Sequence, residues 1–399
     1  MKKRSVLVLQ LASGLGAMSY GTIFTIVDDL RDRYGISEAR LGLIMGVGFF
    51  AGFVSNVFLA PLADRGHAKK MIMIGIIVQL LGNTAFGFMH SFAPLFLARA
   101  VMGIGGGMIY PAVRRIVILA DPDNMGSNLG RMLSIDVGGF TFGPMLSAVT
   151  VSTLGIASPF VIISALMVVV GLRIAQINVH EADTDGAPRQ RLAFDLFRQR
   201  AFAGTITMSS ALFVLIGTFD ALWSMMMKDM NAAAWVANLG ISLFAMPMLF
   251  LGPIGGRFTQ NVGPFKASIG GLTIGAFILS MYGVMPSPYP MLFFGVMHGI
   301  VDGMTVTGGS SAIAMIVPKA RIASAQGMQG ATQTIIAGIA SVVAGSAYGA
   351  YGRTTTFVSA AVIMMILIAV GTWMVKEHIH MKGSEGLDPV SESAVEPIL

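Results

Sequence analysis

The chain has 399 residues, of which 54% are apolar and 12% charged, with a formal charge of +6 and no cysteine; its mean hydropathy is +0.75. Soluble domains carry about 25% charged residues, so this composition excludes an ordinary soluble protein and points to a bilayer. Without Cys there is no disulfide framework, thiolate metal site or cysteine nucleophile. No basic patch interleaved with aromatics marks a nucleic-acid surface.

Met1-Lys-Lys-Arg4 followed by an apolar run imitates a secretory signal, yet the run continues uncharged from Ser5 to Val27 without a small-residue cleavage site, so it reads as a retained first span. Spans of roughly 20 apolar residues fit a hydrocarbon core about 30 Å thick, and twelve are expected: 5–27, 41–60, 71–89, 93–119, 129–150, 156–177, 201–227, 235–251, 267–285, 291–317, 323–348 and 354–375. Placing the N-terminus inside puts 20 of the 26 Lys and Arg at inner ends and 5 at outer ends, with Arg99 inside a span. That asymmetry predicts a multi-pass protein of the inner or plasma membrane with both termini cytoplasmic. Residues 1–177 and 201–376 form two six-span halves. Residues 178–200 are a cytoplasmic linker, and 377–399, rich in Gly, Ser, Glu and Pro, read as a disordered tail.

The halves carry one pattern. Pro94, Gly103, Ile104, Gly107 and Met108 recur at an offset of 196 as Pro290, Gly299, Ile300, Gly303 and Met304. Pro61 and Arg65 recur at an offset of 192 as Pro253 and Arg257. Between spans two and three, Asp64 and Arg65 are followed by Lys69 and Lys70, a turn that resembles the loop signature (motif A) of the major facilitator superfamily; Ala60 and His67 stand where that family more often has Gly. Arg99 with Gly103 and Gly105 resembles the family's fourth-helix signature, and Gly107 continues its face. Gly130, Gly139, Gly143 and Pro144, then Ser147 and Ala148, resemble the fifth-helix signature of the antiporter branch, which ends in two glycines instead. Members of that branch are drug:proton antiporters. The resemblance implies an all-α fold of twelve transmembrane helices in two pseudo-symmetric halves, a gating role for Asp64, Arg65, Lys69, Lys70 and Arg257, and a central cavity lined by helices one, four, seven and ten. Close helix packing follows from the small residues themselves: Gly103, Gly107, Gly130, Gly139, Gly143, Pro144, Gly299 and Gly303.

Ionisable residues inside spans are costly and mark function. Arg99 lies about 9 Å in from the outer edge, and His298 and Asp302 roughly 10 and 16 Å in, one turn apart on one face. With Asp136 on helix five, these are the candidates for proton coupling. Asp136 has Arg115 or Arg131 as potential partners. Asp28, Asp29 and Asp220 near the outer rim, and Arg114 and Arg115 at the inner surface, are candidates for the ends of the cavity. No zinc-binding His-Glu-x-x-His, nucleophile elbow or nucleotide-binding loop occurs, so no enzyme, metal or cofactor is expected. The sequence therefore predicts a secondary transporter working as a monomer in the lipid bilayer on a small molecule and protons. Proton-coupled export of an amphipathic or hydrophobic compound stands first, with proton-coupled uptake of an organic anion beside it and a non-transporting receptor or scaffold behind both.

Overall fold

The computed structural model describes residues 3–179, 192–385 and 387. Residues 180–191 of the expected linker, and the tail after 387, lie outside them. Regular structure among the described residues is helical throughout. In order the helices are α1 (Lys3–Thr25), α2 (Val27–Tyr34), α3 (Glu38–Phe58), α4 (Ala60–Leu62), α5 (Ala68–Phe88), α6 (Phe92–Ala120), α7 (Met125–Leu154), α8 (Ala157–Ala175), α9 (Arg200–Asp229), α10 (Ala234–Val262), α11 (Pro264–Val284), α12 (Pro288–Thr305), α13 (Gly308–Ile316) and α14 (Ile322–Met374).

Among the described residues nine helical stretches are long and apolar enough to cross a membrane, against the twelve spans expected. Two of the nine are too long for one crossing: 40–88, of 49 residues, and 319–374, of 56. Each is broken by a glycine in the left-handed region, Gly66 at φ +77° and Gly352 at φ +77°. Any other residue there would be strained. The turn between the second and third expected spans is thus made at Gly66. A further 29-residue helix, α10, carries Pro247 and Pro253.

The chain forms two compact units. The first comprises residues 1–121, 134–193 and 319–331; the second comprises 122–133, 194–318 and 332–399. The units therefore exchange short segments that a division at the midpoint does not contain. In the first unit the core gathers Ile23, Leu30, Phe86, Leu95, Met102 and Phe160, with the Phe86 and Phe160 rings 5.4 Å apart. In the second it gathers Phe219, Trp223, Tyr282, Phe357 and Met364, where Phe219 stacks on Trp223 at 4.9 Å. Large apolar side chains are also exposed, among them Phe50, Leu97, Val149, Phe250, Val342 and Trp373. Such a surface is unfavourable in water and suited to hydrocarbon: the protein is a multi-pass membrane protein.

After α14 the chain turns back onto the second unit. Val375, Ile379 and Met381 pack with Met208, Phe265 and Ala312. Gly383 N–H donates to the Gln260 carbonyl at 2.8 Å, and the Gln260 side-chain amide donates to the Gly383 carbonyl at 3.1 Å. The tail, expected to lack structure from residue 377, carries these contacts through residue 383.

Candidate transport site

In the first unit the acidic residue of the loop signature is buried rather than displayed. Asp64 has no exposed surface and accepts from Arg115 Nε at 3.0 Å, from Ala323 N at 2.9 Å, and from Ser324 N at 2.7 Å and Oγ at 2.6 Å. Those two N–H groups lie in the first turn of α14, where helix donors have no partner of their own and the dipole favours an anion. Asp64 caps a helix that begins some 260 residues away. Lys69 donates to the Ala175 carbonyl at 2.8 Å, Arg65 is partly buried, and Lys70 is exposed. Arg115, expected to reach the inner surface, is only 3% exposed. Replacing Asp64 by Asn should leave that guanidinium buried without a counter-charge, at a cost of roughly 3–5 kcal/mol. The expected result is a lower thermal midpoint that Arg115→Met partly restores in the double variant; equal midpoints for Asp64→Asn and wild type would show that the pair carries no stability.

Asp136 is paired with neither Arg115 nor Arg131. Its Oδ1 accepts from Ser13 Oγ of α1, and Tyr110 Oη donates to the Ser13 carbonyl at 3.5 Å. Arg115 is already committed to Asp64, and small residues bring α1 close to this stretch of α7. A Cβ on Gly139 or Gly143 would run into the Gly14 and Met18 carbonyls of α1, with Thr22 N only 2.8 Å from the one on Gly143. Pro144 sits beside Gly21, its Cδ 3.1 Å from where a Cβ would stand. Gly103 and Gly107 pack on α3, where the carbonyls of Gly48 and Gly52 take the space a side chain would need. Arg99 lies on the same helix, 5% exposed, its guanidinium 4.9 Å from the Tyr20 ring centroid.

In the second unit His298 and Asp302 sit one turn apart on α12, 0% and 4% exposed, with Nε2 and Oδ2 3.8 Å apart. Phe244 approaches the imidazole edge-on at 5.2 Å, and the Tyr282 ring lies 6.3 Å away. Both imidazole nitrogens and the Tyr282 hydroxyl are buried without a hydrogen-bond partner. Such atoms are rare in folded proteins and call for an explanation beyond stability. Gly299 packs against the Phe244 carbonyl and Gly303 lies 3.1 Å from the Met248 Cα, measured from the position of an added Cβ. Gly130 of α7 meets the Gly252 carbonyl, and its neighbour Gly126 meets Gly256. Gly126, Gly252 and Gly256 are not among the packing positions expected from the sequence, although both pairs show the small-xxx-small spacing. Gln260 was missed as well: its Oε1 accepts from Gly126 N at 2.7 Å and its Nε2 donates to the Pro122 carbonyl at 2.8 Å. A lone polar residue near a helix end gives no sign of that role.

Of the rim candidates, Asp29 is on α2 rather than at the end of α1 and pairs with Arg33 at 2.9 Å. Arg114 is partly buried and Arg257 exposed. The side chains of Asp28 and Asp220 lie outside the described residues.

Comparison with known proteins agrees with this architecture. A protein from Staphylococcus aureus (strain MRSA252), "Quinolone resistance protein NorA", is 26% identical over 142 residues, 35% of this chain and 37% of the relative. The "Probable vesicular acetylcholine transporter-B" of Danio rerio is 25% identical over 257 residues, 60% of this chain and 51% of the relative. These alignments span between about a third and a half of the relatives' lengths. Among solved structures, that of the human organic anion transporter MFSD10 (TETRAN) superposes with a TM-score of 0.77 at 13% identity, covering 92% of this chain and 99% of that one. The outward conformation of FucP gives a TM-score of 0.75 at 15% identity, covering 92% and 98%. The profile of the Major Facilitator Superfamily matches residues 9–226 and again 208–396. The chain belongs to the Major Facilitator Superfamily.

Proposed function

We propose that this protein is a secondary transporter that couples export of a small amphipathic or hydrophobic compound to the entry of protons, by alternating access, in a cell membrane with both termini cytoplasmic. The orientation follows the distribution of Lys and Arg. The observation that carries the coupling is the His298 and Asp302 pair, buried on α12 with unsatisfied nitrogens and no Lys or Arg within ion-pair distance among the described residues. A carboxyl kept away from any cation is held most cheaply as the neutral acid, so opening the site to water and closing it again exchanges a proton. Asp136 and Arg99 are the further coupling candidates, and the protein acts as a monomer. Similarity to a relative named for quinolone resistance is in keeping with outward transport.

The second reading, uptake of an organic anion together with a proton, is favoured by Arg99, whose guanidinium has no carboxylate beside it among the described residues. The two predict opposite proton movements. In liposomes with an acidic lumen and a trapped pH dye, an exported probe such as ethidium is expected to enter as protons leave, raising luminal pH. Entry of an aromatic sulfonate with acidification would favour uptake. Entry of either probe without any pH change would overturn the coupling itself.

A further inference from the structure

We propose that Arg99 is the seat of an anion-binding site in the first unit, and that its ligand is a small aromatic carboxylate or sulfonate. Three helices build the seat. α6 carries Arg99, 5% exposed. α1 places the Tyr20 ring 4.9 Å from the guanidinium carbon. α3 contributes Gly48, where a Cβ would stand 2.5 Å from Nε and 2.7 Å from Nη2 of Arg99, so the guanidinium fits only because that position has no side chain.

What the seat lacks is an acceptor. Arg115, equally buried, has Asp64 at 3.0 Å; Arg99 has no carboxylate or carbonyl in hydrogen-bond contact among the described residues, and its Nε is buried without a partner. A guanidinium removed from water and left unpaired is unfavourable by several kcal/mol. Packing does not account for it, because a neutral side chain would satisfy the same glycine-lined contact at no such cost. The planar fork of N–H donors matches a carboxylate or sulfonate in bidentate fashion, better than it matches a spherical ion. The surroundings add an apolar requirement. Tyr20 meets Phe49 edge-on at 5.2 Å and Phe140 at 5.9 Å, and Phe49 is 44% exposed, so a ligand ring has aromatic faces to lie against. An anion with a flat aromatic body satisfies both parts of the site.

This assignment rests on the transport reading only in treating the ligand as cargo. Export of such an anion against an entering proton remains favourable, since both movements run down an inside-negative potential.

The test measures binding without any gradient, so a failure here is distinct from a failure of proton coupling. The full chain, purified in detergent, is titrated calorimetrically with 2-naphthalenesulfonate and with the neutral 2-naphthalenemethanol. Wild type is expected to bind the sulfonate at least tenfold more tightly than the alcohol. Arg99→Gln should lose that preference while keeping its affinity for the alcohol, and Arg99→Lys should retain part of it. If Arg99→Gln does not fold, Gly48→Ala serves instead, because it keeps the charge and occupies its seat; the preference should fall by a similar factor. A wild-type protein that does not distinguish the two probes, or a preference unchanged in the variants, overturns the site.

Discussion

Liposomes bearing the Asp302→Asn protein should bind a transported probe as wild type does, exchange it across the membrane without a gradient, and fail to concentrate it when a pH step is imposed. The first-half positions equivalent to His298 and Asp302 are Met102 and Gly106, so the repeated architecture itself does not require the pair. It is also poorly served as a structural contact: 3.8 Å separates Nε2 from Oδ2, beyond the reach of a good hydrogen bond. Asn keeps the shape of the neutral acid, so packing and binding should survive, but it cannot release a proton. One proton moved down a step of one pH unit supplies about 1.4 kcal/mol, or about tenfold accumulation. Wild type should approach that ratio and Asp302→Asn should remain near unity. Accumulation equal to wild type would transfer the role to Asp136, which is partly buried in the first unit beside Ser13.

Gly143→Leu should abolish transport altogether. The position faces the α1 backbone: an added Cβ already stands 2.8 Å from Thr22 N and 3.0 Å from Thr22 Oγ1, besides meeting the Met18 carbonyl. These are backbone atoms and a β-branched side chain, which cannot swing aside as the end of a long side chain can. Forcing extra atoms into such a contact costs about 1–3 kcal/mol even in adaptable cores, and here a leucine would separate α1 from α7 along the face that Gly14, Gly21 and Gly139 keep narrow. Gly143→Ala is expected to lower turnover and thermal midpoint together. Wild-type transport by Gly143→Leu, measured at equal amounts of inserted protein, would mean that the two helices do not need to approach.

The features legible in the sequence were those with a local period. Apolar runs of the length of a bilayer, glycines four apart on α6, and the spacing from Gly130 to Pro144 are properties of one helix at a time, and they led to the fold class and the family. Partners across long separations were not legible. Asp64 reads as the acidic residue of a positively charged turn, yet its acceptor capacity is used by Arg115, Ala323 and Ser324. Asp136 could be matched by charge to Arg115 or Arg131, whereas the structure gives it a serine hydroxyl, because the α1 and α7 backbones approach at small residues and bring Ser13 within reach. Gln260 illustrates the same limit, since an amide can donate and accept anywhere and its composition names no partner.

The bond between Asp64 and the start of α14 has a consequence for biosynthesis. Asp64 leaves the ribosome 259 residues before Ala323 and 260 before Ser324, an interval of roughly 13–52 s at ordinary rates of chain elongation. Throughout that time three of the four hydrogen bonds that the carboxylate accepts among the described residues do not exist, and of those partners only Arg115 is available. The first unit therefore cannot be finished when its own helices have been made; it waits for residues 319–331, which arrive after most of the second. A nascent chain stalled or cleaved in between would hold a buried acid short of acceptable partners, a natural mark by which membrane quality control could distinguish an incomplete transporter from a mature one.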